Sequence, residues 1–329
     1  MNYKKEFVCR HLPTFNCHAS TVLPLENGDA LVAWFGGTKE GNDDVNIWYS
    51  LRHSGEFSIP KEISVSPKLP HWNPVLFQKS EKEIILFFKV GKKIPKWKTY
   101  YCISSDGGKT FGEPKELVIA DNSGGRGPVK NKCIRLSNGR VLAPASTENH
   151  GWRCFVDISD DNCESWKKGK YIKTESAFAP FNKGNGYCSN KTAMIQPTLW
   201  ESGDGKVSML TRTSSGKIYR SDSEDHAETW CRAYPTALPN NNSGIDAVAA
   251  PGGKLFLVYN PVGDNWGERS PLVLAESDDN GKTFREILTL EEEKKDSEFS
   301  YPAITYKDGK LYITYTWERL NIVYAEVEI

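Results

Sequence analysis

The stretch "SDDNGKTF" at residues 277–284 reads, taken alone, as a solvated turn. It recurs as "SSDGGKTF" at 104–111, and in weaker form as "SDDNCESW" at 159–166 and "SEDHAETW" at 223–230. The closing aromatics of the four copies, Phe111, Trp166, Trp230 and Phe284, are separated by 55, 64 and 54 residues. Counting back by the same interval from Phe111 reaches Phe57, in the degenerate fifth copy "SLRHSGEFS". A turn rewritten at a nearly fixed period is the mark of one supersecondary unit repeated along the chain.

A second repeat interleaves with the first. "CHASTVLPLENGDALVAWFGG", "WNPVLFQKSEKEIILFFKVG", "NKCIRLSNGRVLAPAST", "QPTLWESGDGKVSMLTRT", "IDAVAAPGGKLFLVYNP" and "YPAITYKDGKLYITYTWE" each hold an apolar strand, a turn usually centred on Gly, and a strong β-former. Gly with Asn or Asp between apolar runs is a hairpin signal. Five of the six hairpins are followed by a third strand and its polar turn, which describes four-stranded sheets arranged radially. The predicted fold is all-β, a six-bladed β-propeller forming a single domain over residues 1–329. The N-terminal "KKEFVCRHL" is the expected closing strand of the sixth blade, which ends in "NIVYAEVEI" without a turn. In the repeated turn, Ser and Asp cap backbone groups, and the aromatic plugs between sheets.

Bulk composition removes several function classes. Lysine and arginine total 42, as do aspartate and glutamate, so no net field draws the chain to nucleic acid or an anionic membrane. No run of 18 apolar residues suggests a membrane span. The eight cysteines are scattered without a CxxC or zinc-type pair, and neither a P-loop, a strand-linked GxGxxG nor an HExxH occurs. No cofactor or metal is therefore expected. "MNYKKEFVCRHLPTF" lacks the apolar stretch of a signal peptide, so the expected location is cytoplasmic, or extracellular if a leader has been removed.

"SxDxGx[TS][WF]" is the Asp-box, and six blades carrying it resemble the sialidase (neuraminidase) superfamily. The resemblance implies a set of site residues. Family members place an Arg-Ile-Pro motif on the first inner strand, ten residues before the hairpin glycine; here that glycine is Gly28 and the matching residue is His18. The family's acid/base aspartate follows on a loop, where Asp43 or Asp44 stands. Its glutamate on the fourth inner strand is matched by Gln196. Its second and third arginines are matched by Arg212 and Arg269, and its nucleophilic tyrosine by Tyr301, 32 residues after Arg269.

Two converging arginines form a carboxylate clamp, so Arg212 and Arg269 point to a glycan with a carboxylate-bearing sugar as partner. Tyr301 as nucleophile needs a base that Gln196 cannot supply, and Asp246 is the nearest substitute along the sequence. A pocket-facing His18 can instead join Tyr301 and an arginine in β-elimination from a uronate, as in rhamnose–glucuronate lyases. Asn73, Lys130, Asn131, Asn242 and Ser243 are polar at inner-strand positions, which favours a pocket over a packed axis. Arg126 or Lys130 is the expected replacement for the missing arginine, and Trp48, Trp72, Trp152 and Trp266 are candidate stacking surfaces. Three functions stay open: an exo-acting sialidase-like hydrolase, a uronate lyase, and a non-catalytic glycan-binding propeller. A protein-binding propeller would require a large apolar rim, which the sequence does not clearly show.

Overall fold

The computed structural model describes residues 2–174 and 193–329, and within them six antiparallel sheets repeat as blades. The innermost strands are Asn16–Pro24, His71–Gln78, Ile134–Arg135, Met194–Gly203, Asp246–Ala249 and Phe299–Lys307. The first and last of these lie against each other, which brings blade 6 back to blade 1. The expected closing strand is present: Tyr3–Phe7 pairs antiparallel with Asn321–Glu328, with Tyr3 opposite Val327 and Phe7 opposite Val323. Lys5 fastens it to the neighbouring blade by donating to the Leu290 carbonyl at 2.9 Å.

The second strand of each blade explains why simple alternation is weak in this sequence. Ala30–Gly37 and Ile84–Val90 are buried at every position, because each blade is sandwiched between two others. Both faces then need apolar side chains, and the run reads as continuous. Lys89, in the middle of such a run, is fully buried and donates to Thr99 Oγ1 at 2.8 Å and to the Arg126 carbonyl at 2.5 Å. Burial pushes its amine down to about 7.

The repeated turns share one bonding pattern. In the copy at 104–111, Ser104 Oγ donates to Asp106 Oδ1 at 2.8 Å and accepts from the Gly108 N–H at 2.8 Å. Asp106 also takes the Thr110 N–H at 2.9 Å and the Thr110 hydroxyl at 2.6 Å. The turns led by Ser159, Ser223 and Ser277 repeat these contacts. Their aromatics reach back to the preceding blade: Phe111 meets Tyr49 edge-on at 5.0 Å, and Trp166 meets Phe87 at 6.1 Å. Each such pair adds about 1 kcal/mol beyond the apolar area it buries.

For Asp106, burial alone would raise the carboxyl, but the Thr110, Ser104 and Lys109 donors outweigh it and hold it at about 2. Its stabilising contribution is therefore full above the ordinary carboxylate value of 3.8 and fades as pH falls towards 2. Asp106→Ala is expected to cost about 1 kcal/mol at neutral pH, lowering Tm by about 2 °C. Melting curves across pH should show the gap to wild type closing in acid. A gap that is constant with pH would mean that the carboxylate bonds do not stabilise the turn.

Candidate active site

Four inner strands carry the same irregularity at the same place. The pairing register breaks between His18 and Thr21, Trp72 and Val75, Ile195 and Thr198, and Ser300 and Ala303. The residue at each break has a left-handed backbone: Ala19 (φ 52°), Asn73 (φ 45°), Gln196 (φ 54°) and Tyr301 (φ 51°). Such a conformation costs on the order of 1–3 kcal/mol for a non-glycine residue and persists only when its surroundings enforce it. A bulge re-aims side chains, and here it occurs beside the residues that line one cavity.

That cavity has a volume of about 300 Å³ and collects His18, Asn73, Gln196, Arg212, Arg269 and Tyr301 from five blades. The phenolic oxygen of Tyr301 accepts from Arg212 Nη1 at 2.6 Å and from Gln196 Nε2 at 3.2 Å. Arg212 rises from the second strand of blade 4, Lys206–Thr213, and is buried. Its other bonds go to Asn242 Oδ1 at 2.8 Å and Gln196 Oε1 at 3.1 Å, both neutral acceptors. Among the described residues it makes no ion pair. Trp152 and Trp266 lie 5.5 and 5.7 Å from the Arg212 guanidinium, and Trp266 is 63% exposed.

The Tyr301 backbone is held from across the ring. Lys130 donates to the Ile245 carbonyl at 3.1 Å and also to the Pro302 carbonyl. A Cβ on Gly244 would sit 3.2 Å from the Lys130 chain and 3.3 Å from the Tyr301 ring, so glycine permits this packing. Burial pushes the Lys130 amine down to about 7. His18 packs on Tyr301 with ring centroids 4.1 Å apart, and its Nδ1 meets Thr316 Oγ1 at 2.9 Å. Burial, reinforced by Arg319, Arg269, Arg212 and Lys130, holds the imidazole well below 6.5, so it is neutral near pH 7.

Arg269 differs from Arg212. It donates to Glu298 at 2.7 Å, and Arg319 donates to the same carboxylate oxygen at 2.8 Å. Arg319 also reaches Glu40 at 2.6 Å. Burial opposes the Glu298 charge, but Arg269 and Arg319 overcome it and hold the carboxyl below its ordinary value. Glu40, Glu148 and Arg319 all line the cavity, as do Trp72 and Trp97, and the sequence reading had singled out none of these but Trp72.

Several expected site residues lie elsewhere. Asp43 is exposed and paired with Lys92 at 2.7 Å, and Asp44 caps Thr38 at 2.9 Å; Glu40, on the same loop, takes the cavity position. Asp246 accepts from Lys132 at 2.9 Å, Thr198 at 2.7 Å and the Ile304 N–H at 2.9 Å, so it ties inner strands together and does not serve Tyr301. Asn131 spans to the Gln196 and Pro197 carbonyls, each at 3.0 Å. Ser243 is buried outside the cavity lining, and its hydroxyl meets no hydrogen-bond partner among the described residues. Arg126 is spent on buried Asp157 at 2.9 Å; the additional cation at the cavity is Arg319. Trp48 donates to the Gly36 carbonyl at 3.2 Å within blade 1 and is not part of the cavity.

The six antiparallel blades make a β-propeller of the sialidase-like fold. The profile of the BNR repeat-like domain family matches residues 28–313, and the chain belongs to that family. Its structure is similar to the Hadza microbial sialidase Hz136, with a TM-score of 0.79 at 14% identity over 96% of this chain and 66% of that one. It is similar over 99% of both chains to a Dyadobacter fermentans protein of unknown function, with a TM-score of 0.76 at 16% identity. The Trypanosoma rangeli sialidase crystallised with the inhibitor DANA gives 0.71 at 14% identity, over 98% of this chain and 59% of that one. The chain thus spans less than two thirds of the length of either of these two sialidases. A comparison with curated protein sequences finds no match. No helix among the described residues is long and apolar enough to cross a membrane.

Proposed function

We propose that the chain is a carbohydrate-active enzyme working on a terminal, carboxylate-bearing sugar seated in the cavity. The observation that carries this reading is Arg212: a buried guanidinium that makes no ion pair among the described residues, aimed at the phenol of Tyr301. Burying an arginine without an anion costs several kcal/mol, which a carboxylate ligand would recover through paired N–H donors. A cavity of about 300 Å³ is at the small end for ligand sites and suits one substituted sugar ring. Trp152 and Trp266 offer flat faces beside it.

Hydrolysis of the sialidase type is the first chemistry to test: the Tyr301 oxygen, to which Arg212 already donates, bonds to the anomeric carbon as its proton passes to solvent in the cavity, and the glycosidic oxygen leaves with the electron pair of the broken bond. The structural similarity to two sialidases supports this choice at the level of fold. A specific observation favours elimination as the second reading. The group beside the phenol is the Gln196 amide and not a carboxylate, while neutral His18 is in ring contact with it. The set of Arg212, His18 and Tyr301 can then take the proton next to the carboxylate of a uronate whose C4 oxygen carries the glycan, and the C4–O bond breaks as the 4,5 double bond forms.

Incubation with terminal sialyl glycans and with glycans holding a 4-O-substituted glucuronate, followed by mass and ultraviolet analysis, separates the readings. Release of the intact acidic sugar means hydrolysis. A product lighter by one water, with the absorbance of a new conjugated double bond, means elimination. Binding without turnover across the panel would overturn the enzyme reading and leave a glycan-binding propeller.

A further inference from the structure

Either chemistry expels a glycosidic oxygen, and that oxygen needs a proton as its bond to the sugar breaks. With Asp43 and Asp44 outside the cavity lining, two carboxyl side chains among the described residues line it: Glu40 and Glu148. They are differently occupied. Glu40 accepts from Arg319 at 2.6 Å and is already engaged by that guanidinium. Glu148 makes no ion pair among the described residues; its bond comes from the Trp152 side chain, with Arg212 acting on it through space.

The position of Glu148 is fixed by tight packing. It directly follows the strand Val141–Thr147. Thr147 Oγ1 donates to the Ser123 carbonyl at 3.1 Å and accepts from the Asn149 N–H at 3.0 Å, which sets the turn on either side of Glu148. The facing loop comes so close that a Cβ on Gly124 would lie 2.1 Å from the Pro95 carbonyl oxygen. One on Gly125 would lie 2.5 Å from that of Ser146. Both glycines have positive φ, 80° and 149°, so the close approach and the backbone shape demand the same residue. The segment is built to present a carboxyl on the cavity wall that also holds Trp152 and Arg212.

We propose that Glu148 is the general acid for the leaving oxygen, an inference that rests on the enzyme reading above. The O–H bond of its carboxyl breaks and the proton passes to the glycosidic oxygen. The sugar–oxygen bond breaks with its electron pair going to that oxygen, and Glu148 is left as a carboxylate. Arg212 then lies close enough to favour the new charge. Burial raises the Glu148 carboxyl above its ordinary range, against the lowering by Arg212 and by the Trp152 bond, which keeps a proton available at higher pH than a solvated glutamate would.

The test is Glu148→Gln, assayed across pH on two glycosides of the same acidic sugar, one with a sugar leaving group and one with an activated aryl leaving group. The expected result is a fall in kcat/KM of at least about 10²-fold on the sugar aglycone and less than about tenfold on the aryl glycoside. The high-pH limb of the wild-type profile should also disappear. Glu148→Asp, which retains a carboxyl, should keep that limb at reduced activity, and it serves if the glutamine variant folds poorly. Wild-type turnover by Glu148→Gln on the sugar aglycone, or a high-pH limb lost in Glu40→Gln instead, overturns this assignment alone. A wild-type protein silent on every glycoside overturns the enzyme reading and the assignment with it.

Discussion

Tyr301→Phe is expected to lower kcat by at least about 10³-fold, a rise in barrier of about 4 kcal/mol, while leaving Tm within about 2 °C of wild type. The ring is retained, so its packing on His18 at 4.1 Å persists, as does the closeness of Lys130, whose Nζ is 5.9 Å from the ring centroid. What disappears is the oxygen that accepts from Arg212 at 2.6 Å and Gln196 at 3.2 Å. Both donors line the cavity, where a water or a ligand can take the place of the lost oxygen, which limits the loss of stability. In either proposed chemistry the reacting oxygen is this one, and charge that builds on it meets donors already in place. Steady-state kinetics with a matched binding isotherm checks the prediction. A variant that binds sugar normally and still turns over within tenfold of wild type would remove Tyr301 from the reaction.

Arg212→Met should separate function from stability in the opposite way. Binding of a carboxylate sugar is expected to weaken by about 10²–10³-fold, since truncating a buried charged hydrogen-bonding partner typically costs about 2–5 kcal/mol. Thermal stability should be unchanged or higher, because the substitution replaces a buried charge that lacks an anionic partner with an apolar chain of similar length. Affinity for the methyl ester of the same sugar should change far less, so the preference for acid over ester should collapse. Calorimetric titration of the acid and its ester, with melting curves of both proteins, measures all three quantities. If wild type and variant bind the acid equally, Arg212 is not the anion anchor.

The propeller was legible because its signals are periodic and local. A turn such as "SDDNGKTF" uses Ser277, Asp279 and Thr283 within one short loop, so the sequence carries the whole device. The candidate site was legible only where a residue sits at a countable place on a regular strand. Gln196, Arg212 and Tyr301 are such residues, and the structure brings their side chains together. Arg319 was missed because "WERL" reads as an ordinary solvent-facing hairpin turn. It reaches the cavity because its carbonyl accepts from the Cys17 N–H at 2.9 Å, joining the turn to the first inner strand. That contact spans almost the whole chain, so no local pattern announces it. Asp43, Asp44 and Glu40 share one loop, and spacing alone cannot show which carboxylate turns inward. Asp246 failed as a base for a related reason. Strand position gave its blade but not its depth, and at its depth Lys132 claims the carboxylate.

The pairing of Tyr3–Phe7 with Asn321–Glu328 makes completion of the cavity wall a late event in the synthesis of each molecule. Tyr301 and Arg319 belong to the blade that this zipper completes, whereas Arg212 and Glu148 are translated well before it. A nascent chain holding four or five finished blades has Arg212 with its Gln196 and Asn242 acceptors but without the Tyr301 oxygen that faces it across the cavity. The same logic runs in reverse under mild denaturation. Loss of the strand pairing that completes the sixth blade would loosen the cavity while most strands remain paired, so any turnover should fade before the circular-dichroism signal does.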